Sequence, residues 1–83
     1  MLEMMGYILI ALAEGSLNKT RISYKANLDS RATNKYLEEL LKLGLIAKSE
    51  REPSYFMITQ KGLDFVQLYE GIMKMSRSSD RRP

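Results

Sequence analysis

Eighty-three residues with 13 Lys and Arg against 10 Asp and Glu make one small domain of net charge +3. The chain has no Cys and no His, which excludes disulfides, Cys/His metal centres, thiol or imidazole nucleophiles and imidazole general bases. It also lacks a glycine-rich phosphate loop, and its carboxylates and hydroxyls fall at no recognisable spacing, so it reads as a non-enzyme with no cofactor, metal or small-molecule ligand.

In chain order, the opening MLEMMGYILIALAEG is predicted to be a helix over about residues 2–14, closed by Gly15. Its apolar run, residues 4–13, is too short for a bilayer, which needs about 20 residues. The early charge is Glu3, whereas a secretory leader is positive there. A buried helix in a cytoplasmic, nucleoid-associated protein without membrane contact is the expectation. On a helical wheel the apolar residues cover nearly the whole circumference, as in a helix buried on all sides. A chain this short has little material to provide that cover, so a second subunit is expected to supply it.

A second helix over residues 19–26 can be capped by Ser16 or Asn18. Ile22 and Ala26 share its inner face, Asn27 suits a left-handed turn position, and Leu28 plugs the corner. Asp29 or Ser30 then caps a third helix that ends at Gly44. This third helix has two stripes: Thr33, Tyr36, Leu37, Leu40 and Leu41 on one side, and Arg31, Asn34, Lys35, Glu38 and Lys42 on the other. Two helices joined by so short a turn are the pattern of a helix-turn-helix, with the longer one as recognition helix.

Residues 45–49 and 55–59 read as strands joined by the turn Glu50-Arg51-Glu52-Pro53-Ser54, where Pro53 bars regular pairing. Placed directly after the recognition helix, they form a two-stranded wing. Thr59 is placed to cap a fourth helix over about residues 60–77, and Gly62 permits tight packing in its first turn. The apolar arc of this helix is wider than one core contact needs, and Phe65, Leu68, Ile72 and Met75 fall at heptad spacing. A homodimer interface of Leu2, Met5, Leu9, Phe65, Leu68, Ile72 and Met75 is therefore expected. The fold class is α+β, mostly α: a winged helix-turn-helix with a three-helix core, a two-stranded wing and a C-terminal helix. Residues 1–77 form the domain and residues 78–83 a flexible basic tail.

The runs KTRISYKANL, YLEELLKLGLI and YFMITQKG resemble those of the small archaeal winged-helix proteins. That group includes chromatin-associated DNA-binding proteins that dimerise through a C-terminal helix. The Thr59-Gln60-Lys61-Gly62 element is shared more widely among winged-helix regulators. The resemblance implies a homodimer that binds double-stranded DNA in regulation or chromatin architecture. Two departures stand out: the fourth helix is short, and the wing carries Arg51 between Glu50 and Glu52.

Charge is distributed unevenly. Residues 1–15 hold two acids and no base, whereas residues 16–48 hold seven bases (Lys19, Arg21, Lys25, Arg31, Lys35, Lys42, Lys48) and three acids (Asp29, Glu38, Glu39). The positive field thus sits on the two-helix segment. With a recognition helix over about residues 30–43 in the major groove, Arg31, Asn34 and Lys35 are the expected base contacts. Lys19, Arg21, Lys25 and Arg51 are the expected phosphate contacts, and Glu38, which repels phosphate, ends the contact zone near Lys35. The competing reading is a winged-helix protein-interaction module that binds no DNA.

Overall fold

The computed structural model describes residues 2–80 of the chain, with side-chain environments for residues 3–75. The elements in order are α1 (Leu2–Ala13), β1 (Leu17–Asn18), α2 (Lys19–Ala26), α3 (Ser30–Lys42), β2 (Ile46–Lys48), β3 (Tyr55–Ile58) and α4 (Gln60–Asp80). The β2–β3 hairpin is the expected two-stranded wing, and the sheet holds one strand more than expected. β1 joins β2 and β3 in a three-stranded antiparallel sheet of order β1-β3-β2, with Leu17 opposite Phe56 and Ile46 opposite Ile58. α4 continues to Asp80, so residues 78–80, expected in a flexible tail, are helical. Residues 81–83, with Arg81 and Arg82, lie outside the described residues.

Local chemistry sets the ends of the central helices. Asn18 Oδ1 accepts from the Arg21 backbone N–H at 2.8 Å to cap α2, and Asp29 Oδ1 accepts from Ala32 N–H at 2.8 Å to cap α3. Asn27 stops α2 by adopting the left-handed conformation, φ 55°. Its N–H reaches Tyr24 O at 3.3 Å and Leu28 N–H reaches Ser23 O at 3.0 Å. This pair of bonds is the Schellman pattern. Gly44 ends α3 the same way, at φ 75°, with Gly44 N–H on Leu41 O and Leu45 N–H on Leu40 O, both 3.0 Å. The turn then directs Leu45 into the core.

The core lies where α1, α2, α3 and the sheet meet, formed by Ile8, Leu9 and Leu12 of α1, Ile22 of α2, Leu37 and Leu40 of α3, Leu45 and Ile46 after the turn, Phe56 of β3 and Val66 of α4. Thr33 is the buried polar residue among them. Its hydroxyl accepts from Ser23 Oγ at 2.8 Å and donates to Asp29 O at 2.9 Å. This fully bonded pair ties α3 to α2 without leaving an orphaned hydroxyl, which would cost about 1–3 kcal/mol.

The expectation that a second subunit must cover α1 is corrected by the path of α4. α4 crosses α1 at Gly6, where an added Cβ would stand 3.0 Å from the Tyr69 ring. The missing side chain lets the aromatic lie directly on the α1 backbone. Tyr69 in turn stacks on Phe65, with centroids 6.4 Å apart and planes 11° apart. Met5 and Leu9, assigned to a dimer interface, are buried in the protein's own core, Leu9 with 0% exposure.

A second junction joins the end of α3 to the start of α4. Thr59 Oγ1 donates to Gly44 O at 2.6 Å and accepts from Gly62 N–H at 3.1 Å, while Thr59 N–H reaches Leu45 O at 3.1 Å. Lys61 Nζ donates to Leu43 O at 2.8 Å, supplying a cation to the free carbonyls at the end of α3. A Cβ on Gly62 would lie 2.2 Å from Leu45 O. No side chain fits there without moving the backbone.

Two stability outcomes follow. Gly62→Ala is expected to destabilise the fold by about 2–3 kcal/mol, as overpacking against a fixed carbonyl does. Helix propensity alone would stabilise it by about 1 kcal/mol, so urea unfolding decides between the two by sign. Thr33→Val is expected to cost about 1–2 kcal/mol by leaving Ser23 without its acceptor. Ser23→Ala in that background should then add less than Ser23→Ala alone, as a double-mutant cycle of unfolding energies would reveal.

Candidate nucleic-acid interface

α3 presents its basic face because its other face is fixed. Thr33, Leu37 and Leu40 are buried at helical spacing, and Tyr36 and Leu41 are half-buried beside them. That stripe fixes the rotation of the helix, so Arg31, Asn34, Lys35, Glu38 and Lys42 are all exposed. Arg31, Lys35, Glu38 and Lys42 lie almost opposite the buried stripe, whereas Asn34 falls toward one edge of the exposed arc. Arg31 and Lys35, one turn apart, are thus brought together on the first two turns, and Glu38 follows immediately.

α2 contributes a second basic surface. Arg21 and Lys25 are exposed, and Lys19, beside the Asn18 cap, is half-buried. The helix is held from behind by α1: Tyr7 Oη donates to Lys25 O at 2.9 Å, satisfying one of the carbonyls left free at the end of α2. Arg51 is exposed in the wing, but Glu50 and Glu52 are exposed beside it. The wing turn is closed by Glu52 N–H on Ser49 Oγ at 3.3 Å and Tyr55 N–H on Glu52 O at 2.8 Å. It therefore presents mixed charge with an acidic surplus.

Two residues acquire parts that the sequence did not suggest. Tyr24 is 85% exposed on α2; the available signal was its position on the wheel, directly opposite Ile22 and Ala26. Lys61 counts as surface charge in composition, yet it closes the end of α3, and the signal there was the Thr-x-Lys-Gly spacing after a strand.

Of the remaining residues assigned to a subunit interface, Phe65 is half-buried under Tyr69, while Leu68, Ile72 and Met75 are 65%, 57% and 72% exposed on one flank of α4. The Leu2 side chain lies outside the described residues. Among the described residues no helix is long and apolar enough to cross a membrane, and no group of three His, Cys, Asp or Glu side chains could hold a metal ion.

A family model described as winged helix-turn-helix matches residues 1–77. A protein of Methanocaldococcus jannaschii described as uncharacterised is 33% identical over 81 residues, which cover 98% of this chain and 77% of that one. Among solved structures, the adhesin competence repressor AdcR of Streptococcus pyogenes is similar at TM-score 0.73 and 19% identity, over 95% of this chain and 62% of that one. A variant of ZitR from Lactococcus lactis, a zinc-responsive MarR family member, is similar at TM-score 0.77 and 19% identity, over 95% of this chain and 57% of that one. The chain thus spans less than two thirds of these two regulators, and at such identity the likeness is one of fold. With the buried stripe of α3, the turn at Asn27, the wing and the family match over nearly its whole length, the chain belongs to the winged helix-turn-helix family.

Proposed function

We propose that this protein is a double-stranded DNA-binding regulator or architectural protein, acting on cytoplasmic, nucleoid-associated DNA. The N-terminal half of α3 enters the major groove. The observation that carries this reading is the exposure of Arg31, Asn34 and Lys35 on a helix whose rotation the buried Thr33–Leu37–Leu40 stripe fixes. Arg31 matches guanine O6/N7 and Asn34 matches adenine N6/N7, each worth about 1–3 kcal/mol of discrimination when bidentate. Lys35 adds a base-edge or phosphate contact beside them. Arg21 and Lys25 take phosphates, joined by the partly covered Lys19, and Arg51 reaches the backbone from the wing turn. The exposed Glu38 limits engagement to the first two turns.

The family match and the fold shared with AdcR, which is named a repressor, support transcription regulation as the biological setting. The exposed flank Leu68, Ile72 and Met75 supports a homodimer built on α4, with Phe65 at its base. A protein-interaction module is the second reading, favoured by the acidic Glu50 and Glu52 on the wing.

A salt titration of binding to random and genomic duplexes tests the first reading. Affinity is expected to fall with a log–log slope of about −0.9 per phosphate neutralised. Arg31→Ala should cost about tenfold on a preferred sequence and little on random DNA, whereas Arg21→Ala should weaken all duplexes alike and flatten the slope by about 0.9. A folded protein that binds no duplex at low salt would leave the interaction module. For the dimer, sedimentation at tens of micromolar should give twice the mass of the 83-residue chain, and Ile72→Glu should return it to monomer without changing its helix content.

A further inference from the structure

We propose that Tyr24 is an uncharged anchor for the DNA backbone, its hydroxyl donating to a phosphate and its ring packing on the adjoining deoxyribose. The inference rests on the DNA-binding reading and adds to it a contact that composition and charge do not reveal.

Tyr24 is the most exposed of the large apolar or aromatic side chains among the described residues, at 85%. The chain's own packing does not use it: Ile22 and Ala26 bury the opposite face of α2. Its location is specific. Going round α2 from Ser23, whose hydroxyl bonds Thr33 of α3 at 2.8 Å, the next exposed positions are Thr20 and Tyr24, and Arg21 and Lys25 lie further on. Tyr24 therefore stands at the outward pole of α2, between the Ser23–Thr33 brace to the recognition helix and the two cations assigned to phosphates.

The backbone beneath it is firm. Tyr24 O accepts the Asn27 N–H in the left-handed turn, and the next residue's carbonyl is held by Tyr7 Oη. A rigid aromatic on a braced helix loses little freedom when it docks. Its two ends suit the two parts of a nucleotide backbone, an apolar ring for the sugar and an O–H for a phosphate oxygen. An O–H to a charged oxygen is also among the stronger neutral-donor hydrogen bonds. Since the donor carries no charge, this contact should release no counterion.

That property supplies the test. In duplex titrations across salt with the full chain, Tyr24→Phe is expected to weaken binding by about tenfold on random and preferred sequences alike, with the log–log salt slope unchanged. Arg21→Ala, measured beside it, should lower that slope by about 0.9. Tyr24→Ala should lose more than Tyr24→Phe, because the ring's contact with the sugar goes too. Both variants should keep the wild-type unfolding midpoint, since the side chain is outside the core. Wild-type affinity for Tyr24→Phe would overturn the phosphate bond while leaving the DNA-binding reading intact. A loss confined to one sequence would make Tyr24 a base reader, and a changed slope would mean the loss came from displaced cations; either overturns the proposal. If the wild type binds no duplex, the inference falls together with the reading on which it rests.

Discussion

The orientation of the basic face depends on the junction between the end of α3 and the start of α4. Four constraints meet within a few ångströms: the left-handed Gly44, the Thr59 hydroxyl on Gly44 O, the Lys61 ammonium on Leu43 O, and Leu45 O pressed against the bare backbone of Gly62. The Lys61 ammonium satisfies a carbonyl at the end of α3 and the Thr59 hydroxyl an N–H at the start of α4, groups that helix ends leave free. Together they leave one way for the chain to leave α3, turn into β2, return along β3 and begin α4. The close contact at Gly62 admits no side chain, so this junction cannot be relaxed by small adjustments.

The other end of α3 is held by different means. Asp29 caps it, Asn27 sets the turn from α2, and the Ser23–Thr33 hydroxyl pair joins the two helices at the edge of the core. A hydroxyl pair is directional where an apolar contact is not, so it fixes rotation and register as well as separation. Leu37 and Leu40 fill the span between the two ends. The helix that displays Arg31, Asn34 and Lys35 is thus constrained at its start, along its length and at its finish, and its outer face is left to solvent. On the proposed reading this rigidity lowers the ordering cost of meeting DNA.

What was legible in the sequence was mainly what local chemistry decides. Asn27, Gly44, Thr59 and Gly62 announce themselves because only certain residues accept a left-handed turn, a hydroxyl cap or a bare backbone contact. The two stripes of α3 were legible because burial follows helical period. What was not legible depends on contacts distant in sequence. β1 is two residues long and exists because Phe56 and Tyr55 lie opposite it; two residues carry no alternation to read. The apolar circumference of α1 suggested a missing subunit, when the cover is α4 laid across Gly6. A wheel counts faces but does not know which neighbour arrives. For the same reason Met5 and Leu9 looked available for a dimer while Leu68, Ile72 and Met75 remained so. Tyr24, which joins the interface on the further proposal, is inconspicuous in the sequence because it carries no charge, although its position opposite Ile22 and Ala26 can be read on the wheel.

On the proposed reading the acids help to define the interface as much as the bases do. Glu38 follows Lys35 on the exposed face of α3, and Glu50 and Glu52 flank Arg51 on the wing, so the positive surface is densest on α2 and the first two turns of α3, with Lys42 and Lys48 exposed outside it. On the proposed reading a single domain then has few phosphates within reach, and the salt-dependent part of its affinity is correspondingly small. Two domains joined through α4 would engage two such patches at once, and the second engagement would be intramolecular, with a gain set by how well the spacing matches the groove. A narrow basic face and an apolar flank left over on α4 are therefore complementary features. On the proposed reading the first would make one copy a weak binder, and the second would offer a way to present two.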